Sequence, residues 1–322
     1  MSALTEFEPF VDKTIQTFFA KLDEFVAQNQ ICDIASWLQY YAFDVIGGST
    51  GAVARFARAR LDERLREASN EKNVSGLSQP PHRDFLARFL EAKQEHPKIV
   101  TDNQVLSYTI SNMNAGSDTT AISLRAILYY TLKHPRVSRK LDNELKVAYQ
   151  ENRISCPVSW KQSQEELPYL DAVIKEALRL HPAVGLLLER VVPVGGLQLP
   201  NGGPFLPAGT VVGANPWIIH RHSCFGEKVD SFIPERWLQM NGESENEYLT
   251  RKQQMLRATF TFGSGPRTCI GKNISLLEIY KLVPSLFLTY KITLKDPEKE
   301  WTTVNAWFVR QKHMDVRLTH HN

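Results

Sequence analysis

Cys269 sits in a run that could do metal chemistry, Phe262-Gly263-Ser264-Gly265-Pro266-Arg267-Thr268-Cys269-Ile270-Gly271. Three glycines in ten residues let the chain turn tightly and let a flat ligand approach the backbone. The cysteine stands just ahead of an apolar-periodic segment, at the start of an expected helix. Unpaired N–H groups and the helix dipole favour negative charge on sulfur there. Arg267, two residues earlier, can pair with a carboxylate on the rim of such a ligand. A lone cysteine is ordinarily a small buried hydrophobe; the loop around this one argues for a ligand.

A second string, Ala115-Gly116-Ser117-Asp118-Thr119-Thr120, lies midway along the longest periodic segment, 102–133. Ala115 and Thr119 are i and i+4 and share a face. A threonine hydroxyl can bond the carbonyl four residues back and bend the helix. Small Ala115 and Gly116 would let the helix pass close to a flat cofactor, and Asp118 suits a proton relay through water. By itself the string also reads as an ordinary polar kink. Glu176 and Arg179, three apart on a helix, could be a surface pair worth a few tenths of a kcal/mol.

The elements that must position these residues are mostly helical. Apolar spacing predicts helices over about 7–28, 33–46, 52–69, 84–95, 102–133, 136–150, 168–180 and 273–289. A loop is expected over 73–81, small antiparallel strands within 191–199 and 205–212, an irregular stretch with room for one short helix over 222–262, and a terminal pair of strands within 301–318. The expected class is therefore mainly α with a small antiparallel β portion near the C-terminal third.

Composition narrows the function classes. The chain has 322 residues, a net charge of +3 and four cysteines. That charge, with no recognition motif, excludes a case for nucleic acid. Cys32, Cys156, Cys224 and Cys269 form no CxxC pair, so neither a zinc cluster nor a disulfide framework is indicated. No apolar run is long enough to span a bilayer, and the start lacks a signal-peptide pattern, so the expectation is a soluble or peripheral chain. Arg236, Arg267, Lys272 and Lys281 are candidates to meet an acidic electron donor. The histidines read as structural or solvated.

The cysteine loop resembles the haem-ligand signature of the cytochrome P450 family, Phe-x-x-Gly-x-Arg-x-Cys-x-Gly, and matches every fixed position. The resemblance runs from about residue 101 to the C-terminus. It implies a P450 fold built around a long central helix, with haem b (iron-protoporphyrin IX) as cofactor. Cys269 is then the axial thiolate and iron ligand, which favours O–O cleavage. Phe262 packs near the thiolate, Gly263 and Gly271 shape the loop, and Arg267 binds a propionate. Ala115 and Gly116 border the haem, Asp118 and Thr119 deliver protons during oxygen activation, and Arg190 reaches the second propionate. Glu176, Arg179 and Arg236, the last within Pro234-Glu235-Arg236-Trp237, form a buried structural triad behind the loop.

By the same resemblance the chain is a fungal-like monooxygenase of secondary metabolism. It inserts one atom of O₂ into a small apolar organic substrate, with electrons from a separate NADPH-cytochrome P450 reductase, because no dinucleotide-binding fingerprint is present. The family's usual place is the cytoplasmic side of the endoplasmic reticulum. A single domain is expected over 1–322, with 1–100 a partial helical segment and 101–322 the haem-binding core. The family's N-terminal part and roof helices have no counterpart, two helices being joined near 46–51. Two alternatives stay open: a non-catalytic remnant that binds haem weakly or not at all, and a haem-thiolate isomerase or dehydratase, against which Asp118-Thr119 argues.

Overall fold

A computed structural model describes residues 7–46, 57–64, 66 and 84–321. The expected loop over 73–81 and the expected junction near 47–51 lie outside those residues. Ten helices are labelled here: α1 (Glu8–Ala27), α2 (Ile34–Ile46), α3 (Phe85–Glu95), α4 (Asp102–Lys133), α5 (Pro135–Gln150), α6 (Trp160–Glu165), α7 (Pro168–Leu180), α8 (Pro216–Ile219), α9 (Glu245–Ala258) and α10 (Lys272–Thr289). A further helical stretch covers 57–64.

The helices form where apolar spacing and caps agree. In α5, Val137, Leu141, Leu145 and Ala148 are buried along one stripe, the spacing of a helix with one face in the core. Each fully buried large aliphatic side chain contributes roughly 1.5–3 kcal/mol. Thr101 caps α4, its hydroxyl oxygen accepting from the Gln104 N–H. Pro135 both ends α4 and opens α5, since proline cannot donate within a helix but suits its first turn.

α4 carries the architecture. Residues Thr120 to Tyr129 are all buried, whereas its first half buries only Val105, Met113 and Ser117. The helix thus runs from an open face into the core, and the Ala115–Thr119 string sits at the transition. It packs on α2, α7 and α10. α10 buries every residue from Leu277 to Phe287.

The β portion corrects the expectation in detail. Residues 188–214 form two separate antiparallel ladders, β2 (Leu188–Val191) with β5 (Val211–Ala214) and β3 (Leu197–Gln198) with β4 (Phe205–Leu206). Gly195 and Gly196, both at positive φ, turn the chain between β2 and β3. The C-terminal stretch holds three strands rather than a pair. β7 (Thr302–Asn305) and β8 (Val309–Lys312) make a hairpin, while β9 (Asp315–His320) lies between β6 (Tyr290–Leu294) and β1 (Cys32–Asp33). The 222–262 stretch, expected to be largely irregular, contains the fourteen-residue α9. Among the described residues no helix is long and apolar enough to cross a membrane.

Candidate functional site

Cys269 is exposed, at the end of a loop whose backbone closes on itself through the Cys269 N–H donating to Phe262 O at 2.8 Å. Gly263 and Gly265 adopt φ of +68° and +70°, conformations that L side chains rarely take. Thr268 Oγ1 donates to Phe262 O at 3.2 Å, a second clasp across the loop. Gly271 then starts α10 without a side-chain cap. Arg267 is exposed within a 3₁₀ turn at Gly265–Arg267.

On α4, Thr119 Oγ1 donates to Ala115 O at 2.8 Å, the expected back-bond. Its neighbour Thr120 is buried and shares a 2.8 Å hydroxyl contact with Ser275 on α10, one turn beyond Gly271. Asp118 accepts from Gln39 Nε2 at 2.9 Å on one oxygen and from Arg310 Nη2 at 2.6 Å on the other.

These contacts belong to a closed circuit. The loop meets β2, for a Cβ on Gly263 would lie 3.6 Å from Leu188 Cδ1. The segment before β2 meets the hairpin: the Val309 N–H donates to Ala183 O at 3.0 Å, and Val184 bridges Phe308. A Cβ on Gly185 would fall 2.7 Å from Val309 Cγ2, so only glycine permits that approach. The hairpin rests on α4 through Arg310 to Asp118 and Gln311 Nε2 to Ile122 O at 2.9 Å. α4 meets α10 at Thr120–Ser275, and α10 begins at the loop. Exposed apolar side chains stud this circuit: Leu187, Trp307 and Ile270, the last 99% exposed.

Behind the loop lies a charged core. Arg179 Nε and Nη2 donate to the two carboxylate oxygens of Glu176 at 2.9 and 2.8 Å. Arg236 Nε adds a third bond at 2.8 Å and Trp237 Nε1 a fourth at 2.9 Å. Glu176 and Arg179 are fully buried. This is the expected triad, satisfied at nearly every polar atom, the condition for a buried ion cluster to be tolerated.

One expectation needs correction. Arg236 and Lys281 do not offer charge to a partner, being 5% and 1% exposed and held by internal carboxylates. Lys272 and Arg267 remain exposed. Arg190 is exposed on β2, its Nη1 turned back to Glu189 O at 2.7 Å.

Sequence reasoning missed a connector. His220 is fully buried; its Nδ1 lies 2.9 Å from Arg179 O, and its Nε2 accepts from the Phe260 N–H at 2.7 Å. The imidazole joins the triad to the stem of the thiolate loop. Burial lowers its pKa to about 4, which keeps it neutral, as an acceptor nitrogen requires. Forty residues separate His220 from Phe260, so no local pattern marks the pairing.

A flat, metal-centred group fits this site. Among the described residues no three His, Cys, Asp or Glu side chains gather around a common point. Cys269 offers one exposed sulfur, which could serve a metal whose other bonds come from a macrocycle. The apolar side chains of the circuit suit the faces of such a ring, and Arg267 could meet an acidic edge.

A sequence profile for the family described as Cytochrome P450 matches residues 48–316. Cytochrome P450 monooxygenase cicH of Emericella nidulans is 38% identical, the match covering 100% of this chain and 72% of that protein. Cytochrome P450 monooxygenase pkfB of the same species is 36% identical, covering 99% and 70%. A cytochrome P450 monooxygenase of Aspergillus terreus is 37% identical, covering 91% and 68%. Among solved structures, a crystal structure of a cytochrome P450 superposes with a TM-score of 0.76 at 18% identity, covering 99% of this chain and 75% of that one.

Proposed function

The chain belongs to the cytochrome P450 family, and from that membership we propose a haem-thiolate monooxygenase acting on a small apolar organic substrate. Its relatives named above are fungal P450 monooxygenases, which are oxidoreductases. The observation that carries the proposal is the circuit from Cys269 through Leu188, the β7–β8 hairpin and Asp118 to Ser275. It sets one exposed thiol and one acid–alcohol pair on linked elements.

Cys269 would hold the iron of protoporphyrin IX. Arg267 would bind a propionate, Phe262, Gly263 and Gly271 would shape the bed, and Ala115 and Gly116 would leave room above it. Arg190 would meet the second propionate only after leaving its bond to Glu189. When bound, the haem supplies dioxygen binding and activation. The balance requires one substrate C–H, one O₂, two electrons and two protons, giving one hydroxylated product and one water.

The chain's own part is proton handling. Thr119 presents a hydroxyl fixed by Ala115 O, and Asp118 beside it can accept a proton from solvent and pass one inward. Electrons would come from a separate NADPH-dependent reductase, with exposed Lys272 near the Cys269 loop available to meet it. The described chain is read as one domain, with 101–322 as the haem-binding core.

The test is spectroscopic. Haem-loaded protein should give a thiolate-type ferrous–CO band, lost in Cys269→Ser and kept in Cys156→Ser and Cys224→Ser. Cys156 is exposed yet lies outside the circuit, and Cys32 is buried with its thiol pushed up to about 12. A monodisperse protein that takes up no haem would overturn the proposal in favour of a haem-free interaction role.

A further inference from the structure

Gln39, on α2, governs one oxygen of Asp118. Its Nε2 donates to Asp118 Oδ1 at 2.9 Å, and its Oε1 accepts from Arg125 Nη2 at 3.0 Å. The polarity of this carboxamide is set by its neighbours. A guanidinium has only donors and a carboxylate only acceptors, so oxygen must face Arg125 and nitrogen must face Asp118.

Arg125 is itself immobilised. It is 8% exposed, and its Nε donates to Ala35 O at 2.8 Å, one turn before Gln39 on α2. The guanidinium therefore straddles a turn of α2 and presses Gln39 toward α4. The second partner of Asp118 is different in kind: the Arg310 side chain is 58% exposed, and exposed ion pairs are screened and weak. Of the two contacts, the inner amide is the one that persists when the outer one opens.

We propose that Gln39 is a positioning residue for Asp118, its carboxamide locked by Arg125 so that the carboxylate is held beside Thr119 with only its outer oxygen free to change partner. The inference rests on the reading of Asp118 as the acid that hands protons to Thr119. The charged groups around Asp118 are Arg310 from β8, Arg125 from α4 and, acting on Arg125, Asp33 from β1.

Gln39→Glu isolates the contact. Arg125 keeps an acceptor at position 39, so the join between α2 and α4 survives, but Asp118 then faces a second carboxylate. Carboxyl ¹³C NMR on the full chain, with the Asp118 resonance assigned by its loss in Asp118→Asn, reads the result without any turnover. The Asp118 titration midpoint should move upward by about one pH unit or more in Gln39→Glu, and by less in Gln39→Leu, which merely removes the donor. In the haem-loaded protein, product formed per NADPH consumed should fall in Gln39→Glu toward the Asp118→Asn value. A midpoint unchanged in both Gln39 variants overturns the positioning role. If instead Gln39→Glu shifts the midpoint but Asp118→Asn leaves the coupling ratio untouched, the clamp stands and the relay reading of Asp118 fails.

Discussion

The backbone N–H of Phe260 donates to Nε2 of His220 at 2.7 Å, tying the stem of the thiolate loop to the end of α7 through one buried imidazole. The contact works only while that nitrogen carries no proton, so acid attacks the loop at its root.

The chain should therefore lose stability as pH falls through the range between free and buried imidazole. Burial lowers His220 and His181 to about 4 from 6.5. Between those values the unfolded chain binds protons that the folded chain refuses, so stability is full above about pH 6.5 and declines toward 4. Each histidine accounts for up to about 3 kcal/mol. Thermal unfolding at about pH 7.5 and about pH 5 reads this, and His220→Gln should flatten part of the difference. A pH dependence of the melting temperature as steep in His220→Gln as in the unaltered chain would contradict it.

Breaking the triad should be severe. Arg236→Leu removes one of the two guanidiniums on the buried Glu176 and strips the donors from Phe225 O and Lys228 O, and breaking a buried, hydrogen-bonded charge network costs about 3–5 kcal/mol. Denaturant midpoints and haem retention measure the loss. An ordinary surface change such as Lys161→Ala, in a pair 3.9 Å apart and well exposed, should shift stability by less than about 0.5 kcal/mol.

Glu278 presents the opposite case. It is fully buried on α10, neither carboxylate oxygen has a partner among the described residues, and burial raises its pKa well above the usual carboxylate range. The folded chain retains a proton that the unfolded chain has released, so this group's contribution falls as pH rises above about 4.3. Glu278→Met should raise the melting temperature at about pH 8 and by less at about pH 5, a gain of about 1–3 kcal/mol at the higher pH. Destabilisation at pH 8 would show that the carboxyl has a use that its surroundings do not reveal.

Thr119→Ala removes the hydroxyl that bonds Ala115 O. Its fold cost should be small, because the residue is only partly buried, while reductant consumption should separate from product formation. Measuring NADPH consumed, product and hydrogen peroxide together distinguishes the two effects. Unchanged coupling removes Thr119 from the proton path.

Legibility followed range along the chain. α9 is longer than the one short helix expected there, although its start was readable: Ser244 and Glu247 form a capping box, a local signal in Ser-x-x-Glu that sparse apolar spacing obscured. The strands after Pro182 were legible as β-rich but not as two ladders, because register depends on partners 7 to 26 residues away. β9 could not be assigned to β1 from pattern alone, since Cys32–Val316 pairing spans nearly the whole chain.

The sequence by itself determined the glycine-rich Cys269 loop and the back-bonded turn at Thr119. Both are contiguous residues whose geometry follows from glycine conformations and helical periodicity. Only the tertiary structure decided what surrounds them. It buried Arg236 and Lys281 instead of offering them to a partner, gave Phe260 its imidazole, and gave Asp118 both Gln39 and Arg310. The physical reason is that desolvation and hydrogen bonding are settled by groups far apart in the chain. A carboxylate's neighbours 79 and 192 positions away leave no trace in the residues beside it.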